Sequence, residues 1–146
     1  MINIELFDTY TAEIFTILYE NFPVCKDIKT HEIVKSVKTD PETSDRNLQI
    51  CSSTMHWLRD SGMVSVYAPS KKTFSTSDDV GIDYLFTCVV LTAKGLEILK
   101  QTPKSVQRGG ASLGEEISSA VKKGMREEAS ELVGLALGGI VRGVVG

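Results

Sequence analysis

At 146 residues, with 42% hydrophobic and 24% charged side chains, the chain is long and apolar enough to enclose a core, which excludes disorder throughout and fits one domain with an appendage. Its net charge is -3, and within it residues 1–104 carry 11 Lys and Arg against 14 Asp and Glu while residues 105–146 carry five of each. General basicity is therefore excluded, and any nucleic-acid footprint has to be a local patch.

From Thr9 to Phe22 the apolar residues Ile14, Phe15, Ile17, Leu18 and Phe22 recur at helical spacing, with Asp8 or Thr9 to cap the start and Pro23 to mark the stop. A second, short helix is predicted from an N-cap at Thr30 through Ile33, Val34 and Val37, ending at Asp40-Pro41. A third begins near Thr43 or Ser44 and stops at Gly62. Its buried stripe is Leu48, Cys51, Met55 and Leu58, and its outward side is Arg46, Gln49, Ser53, His56 and Asp60. After Gly62 the period changes to that of strands, at Met63–Tyr67 and again at Ile82–Leu91, with a hairpin loop at PSKKTFSTSDDVG, residues 69–81. The second strand runs into LTAKGLEILK, where Thr92 caps a helix carrying Leu96, Ile98 and Leu99, and Pro103 lies just past its end.

The stretches WLRDSGMVSV (57–66) and VVLTAKGLEIL (89–99) join helix to strand and strand to helix in a way that resembles the winged helix-turn-helix superfamily over about residues 9–101. The fold class is thus expected to be mainly α with a small β-hairpin: a winged helix-turn-helix domain followed by a C-terminal amphipathic helix. The resemblance implies that the third helix enters a DNA major groove and the wing touches the backbone. Carried onto this chain, the readers are Arg46, Asn47, Gln49, Ser53 and His56, with Lys71 and Lys72 on the wing. Arg suits guanine, Asn or Gln suits adenine, and Lys suits phosphate. Asp45, Asp60, Asp78 and Asp79 offset these cations, so DNA binding is expected to be weak or to require an oligomer.

Cys25, Cys51 and Cys88 are odd in number, widely spaced and without a CxxC pair, and read as packed thiols rather than as a disulfide framework or a zinc site. No basic-then-apolar leader precedes Glu5 and Asp8, which points to the cytoplasm. His31 and His56 lack carboxylates at ligand spacing and read as capping or surface residues, and Trp57 reads as an anchor at the edge of the core. QRGGASLGEE (107–116) lacks the GK[ST] ending of a phosphate loop and reads as a linker leading into a capping box, Ser112 to Glu115. No nucleophile-base pair and no cofactor or metal motif is present in the sequence, so a binding protein is expected rather than an enzyme.

The domain expected at 1–104 is thus followed by a linker at 105–112 and a helix at 113–146. That helix bears Ile117, Ala120, Val121, Gly124, Ala129, Leu132 and Val133 and ends in LVGLALGGIVRGVVG. As a helix this end is about 22 Å long against roughly 30 Å of bilayer hydrocarbon, so a span is disfavoured and a membrane-docked tail ranks third among the functions considered. Gly134 with Gly138, and Gly139 with Gly143, are four apart and let another backbone come close, so the association set is Leu132, Gly134, Leu135, Gly138, Gly139, Val141 and Gly143. The leading expectation is a DNA-binding regulator that oligomerises through this helix, with a winged-helix protein adaptor as the alternative.

Overall fold

In the computed structural model, which describes residues 2–37, 43–73, 82–102 and 111–145 (the backbone alone at 68–73 and 139–145), the first helix α1 spans Asn3–Asn21. It starts well before Thr9 because Leu6 and Tyr10 join the buried face and Glu5 Oε2 accepts a hydrogen bond from the Ile2 N–H at 3.2 Å. Burying each large apolar side chain on this face, Leu6, Ile14, Phe15 and Leu18 among them, contributes roughly 1.5–3 kcal/mol before entropy is counted. After a cis Phe22-Pro23 bond come a short strand β1 (Lys26–Lys29), helix α2 (Thr30–Ser36) and helix α3 (Ser44–Asp60). β1 was not expected. It is a four-residue segment with one buried side chain, Ile28, too short for period-2 alternation to show. Thr30 is the first residue of α2 and not its cap, and its hydroxyl lies 3.3 Å from the Tyr84 carbonyl, to which it donates. The expected continuation of α2 toward Asp40-Pro41 lies outside the described residues.

β2 (Val64–Thr73) and β3 (Ile82–Leu91) form an antiparallel pair, and β1 adds to the other edge of β3, giving a three-stranded sheet in the order β1-β3-β2. Strand β2 extends past Tyr67 to Thr73, so residues 69–73, expected in the hairpin loop, are paired with β3, Lys71 with Leu85 and Lys72 with Asp83. The expected strict alternation along β3 also fails: Phe86 is buried, and so are Val89 and Leu91. The phase changes at Cys88, whose φ of 52° lies in the left-handed region, beside a break in the β1–β3 register between Lys26 and Ile28. An irregularity of this kind re-aims a side chain. Here it brings Cys88 to Cys25, with Cα atoms 4.8 Å apart, and the two form a disulfide. The reading of all three cysteines as packed thiols is therefore corrected: spacing along the chain did not reveal that β1 and β3 are neighbours, and only Cys51 is a buried free thiol.

The two junctions that carry the family resemblance close on each other. Gly62, at φ 81°, ends α3 in a Schellman motif, with Gly62 N–H donating to the Arg59 carbonyl at 3.0 Å and Met63 N–H to the Leu58 carbonyl at 3.0 Å. The Thr92 N–H donates to the Met63 carbonyl at 3.1 Å, its hydroxyl donates to the Gly62 carbonyl, and its oxygen accepts the Gly95 N–H at 3.0 Å, capping α4 (Ala93–Lys100) as expected. One threonine thus ties the end of α3, the start of β2 and the start of α4 together.

The helix expected over 113–146 is two helices, α5 (Leu113–Lys122) and α6 (Arg126–Val145). They are parted by a second Schellman turn at Gly124, φ 70°, with Gly124 N–H donating to Val121 and Met125 N–H to Ala120. The capping box at the start of α5 is present in altered form: Ser112 Oγ accepts the Glu115 N–H at 3.2 Å and contacts the Glu115 carboxylate at 3.1 Å and Tyr19 Oη at 2.9 Å. Both helices lie on α1. Ser118 donates to Glu20 at 2.9 Å, Lys122 pairs with Glu20, and Ser130 donates to Asp8 at 2.8 Å. Leu113, Ile117, Ala120, Leu132, Val133 and Ala136 belong to the same apolar cluster as Phe15, Met55 and Phe86, so the described residues enclose one core with α1 in its middle. The fold is mainly helical with a small antiparallel sheet, an arrangement compatible with a winged helix.

Candidate functional site

Helix α3 is packed on two sides. One side meets α1 and α2, and the other reaches the sheet, where Ser52 Oγ accepts the Asp83 N–H at 3.1 Å. The buried stripe is therefore broader than its apolar residues and includes Asn47, Ser52 and Thr54, while Leu48 is only half-buried. Two of the residues proposed to read bases are corrected by this rotation. Asn47 is 1% exposed, and its amide donates to Thr43 Oγ1 at 3.1 Å within α3's own first turn. His56 turns toward β3, where Nε2 pairs with Asp83 Oδ2 and the ring meets Phe86 edge-on at 5.2 Å. Asn47 is thus turned inward, whereas His56 is tied to the sheet with a third of its side chain still exposed.

Arg46, Gln49 and Ser53 remain on the exposed side. They line a groove of about 1030 Å³ whose other walls are Asn3, Ile4 and Phe7 from α1, Ile50, Thr54 and Trp57 from α3, and Leu137 and Gly138 from α6. Trp57 stands edge-on to Phe7 at 5.3 Å and is 45% exposed, and Ile4 is 59% exposed. Arg46 Nε donates to Asn3 Oδ1 at 3.1 Å, which fixes the guanidinium at the α1 end of the groove. Lys71 and Lys72 lie in β2, and their side chains are outside the described residues.

Of the association set, Leu132 is corrected: at 3% exposure it is part of this chain's own core. Gly134 and Gly138 are exposed with nothing within 4 Å of a β-carbon built on either, and Leu135 is 39% exposed beside them. Gly139, Val141 and Gly143 continue α6, with their side-chain surroundings outside the described residues.

Sequence reading missed the groove because its walls come from distant segments. It also missed a smaller cavity of about 240 Å³ between α1, the end of α2 and the α5–α6 turn, lined in part by Glu13, Val37, Val121, Met125 and Arg126. Burial raises the Glu13 carboxyl there, against the opposing charge of Arg126. His31, which read as a capping or surface residue, is stacked on Tyr84 with ring centroids 4.4 Å apart and holds α2 to β3. Among the described residues no group of three or more His, Cys, Asp or Glu is arranged to hold a metal ion, and no helix is long and apolar enough to cross a membrane.

No protein-family model, curated protein or solved structure matches the chain.

Proposed function

We propose that the chain is a winged-helix protein that acts by binding another protein, seating an amphipathic helix of that partner in the groove on the outer side of α3. The order α1-β1-α2-α3-β2-β3-α4 and the β1-β3-β2 pairing support the winged-helix assignment. The groove carries the functional reading. A helix that reads base edges presents donors from a cation-rich surface. Here the outer side of α3 opens onto Ile4, Phe7, Ile50, Trp57 and Leu137, with Arg46 at one end as its cation. Trp and Arg are the residue types that most often anchor protein interfaces, and apolar anchors at helical spacing fill grooves of this form. The role is binding rather than catalysis.

A second reading, DNA recognition, is favoured by Arg46, Gln49 and Ser53 sharing the exposed side of α3, with Lys71 and Lys72 on β2.

The two readings are separated by a pair of measurements. Selection from a library of amphipathic helical peptides is expected to yield binders that change Trp57 fluorescence and lose affinity when Ile50 is changed to Glu. Titration with a random-sequence duplex pool at two salt concentrations is expected to show no binding. Salt-sensitive duplex binding that Arg46→Ala and Gln49→Ala abolish, with no peptide selected, overturns the proposal in favour of the second reading.

A further inference from the structure

Two cysteines that the proposed function leaves unused hold one edge of the sheet. β1 is an edge strand of four residues in which Ile28 is buried while Lys26, Asp27 and Lys29 are exposed. Its pairing with β3 is broken between Lys26 and Ile28, opposite Thr87 and Cys88. Among the described residues Cys88 is the only one other than glycine in the left-handed region, at φ 52°, and such a conformation persists only where the surroundings impose it. Two ties impose it here. The bond to Cys25 holds the Cys88 side chain, and Asp27 Oδ1 accepts the Cys88 N–H at 2.9 Å. Both run to β1, and only the first is covalent. Unlike Cys51, neither Cys25 nor Cys88 is fully buried, and Val24 and Lys26 beside Cys25 are exposed. We propose that the Cys25–Cys88 bond is a thiol-exchange latch: a dithiol reductant opens it in the folded chain, Cys88 leaves the left-handed region, and β1 comes away from Phe86 to Val89, uncovering that edge of β3.

The exchange balances. A thiolate of the dithiol attacks one sulfur and forms a mixed disulfide, and the other sulfur departs as a thiolate and takes a proton. The second thiol of the reductant then closes its own disulfide and releases the remaining cysteine, so two electrons pass to the Cys25–Cys88 pair and the dithiol is oxidised. Once the bond is open, β1 has one buried side chain to set against the entropy of ordering the strand. α2 stays anchored by Thr30, by Ile33 and by the stack of His31 on Tyr84, so the opening is local. An uncovered strand edge presents unpaired N–H and C=O groups, the kind of surface that accepts an added strand. The latch decides whether β3 offers one. Neither cysteine lines the α3 groove, so the latch works whatever fills it.

The experiment is hydrogen exchange read by mass spectrometry on the full chain, oxidised and after treatment with dithiothreitol in native buffer, with iodoacetamide labelling to identify the free thiols. Labelling is expected at Cys25 and Cys88 with Cys51 spared. In the reduced chain, residues 26–28 and 86–89 are expected to lose the protection they have in the oxidised one and to exchange roughly a hundredfold faster than α1 and α5. Cys25→Ser with Cys88→Ser behaves like the reduced chain at these segments. Cys25→Ser with Cys88→Gly, also without the disulfide, keeps them protected roughly tenfold better, since glycine holds φ 52° without strain. A bond that dithiothreitol opens only in denaturant, a reduced chain whose β1 stays as protected as in the oxidised one, opening of β1 together with α1, or a glycine variant no better protected than the serine one each overturn the inference.

Discussion

Gly95 and Met63 meet backbone to backbone: a β-carbon on Gly95 would stand 2.2 Å from the Met63 carbonyl oxygen. That carbonyl already accepts the Thr92 N–H, so it cannot move aside without loosening the joint between β2 and α4. Gly95→Ala is therefore expected to destabilise the protein by about 1–3 kcal/mol, despite alanine's higher helix propensity. A lowered melting temperature is the readout, and an unchanged one disproves the clash.

The Cys25–Cys88 bond closes a loop between residues 63 apart in sequence. Titration of thiols in denaturant without reductant is expected to find one reactive thiol per chain, Cys51, and three after reduction. Changing both Cys25 and Cys88 to Ser should cost about 2–4 kcal/mol of stability, measured by denaturant unfolding.

Tyr10 is fully buried, and its hydroxyl has no hydrogen-bond partner among the described residues. Burial pushes its phenol from 10.0 up to about 12, against the lowering influence of Arg126 and Arg46. Between those values the unfolded chain has released the proton and the folded one retains it, so stability falls as pH rises through this window, by up to about 2–3 kcal/mol. Tyr10→Phe is expected to remove that part of the fall and, at neutral pH, to be as stable as the wild type or about 1 kcal/mol more so, since no buried bond is lost. Melting curves of both proteins from neutral pH to pH 11.5 provide the comparison.

A chain cut after Lys104 retains α1 to α4 and the three-stranded sheet but uncovers the side of α1 that meets α5 and α6. This fragment is expected to melt at a lower temperature and over a broader range than the full chain, and to bind a hydrophobic dye. A sharp, dye-free transition instead establishes 1–104 as a self-sufficient unit.

The parts of the fold legible in the sequence were those with a local cause. Gly62 ends a helix because of its own backbone freedom, Thr92 caps one with its own oxygen, and the outward positions of Arg46, Gln49 and Ser53 follow from helical periodicity. The β1 strand, the Cys25–Cys88 bond and the turning of Asn47 inward and of His56 toward the sheet depend on β3 lying between β1 and β2 and on α3 touching the sheet. Helical spacing was correct for His56, yet the side opposite one packed face proved to be a second packed face, because Asp83 and Phe86 stand there. The groove was less legible still, since Phe7, Trp57 and Leu137 come from three helices and no periodicity links them.

The central position of α1 sets a timetable for biosynthesis. Asp8 and the Ser130 that bonds to it are 122 residues apart. At roughly 5–20 residues per second, a ribosome that has made the first helix needs on the order of ten seconds to supply the last one that covers it. During that interval the face of α1 reserved for α5 and α6 is apolar and uncovered, a natural substrate for a chaperone that grips nascent hydrophobic helices. Slowing translation between residues 100 and 130 therefore lengthens the exposure and lowers the soluble yield without altering a single side chain.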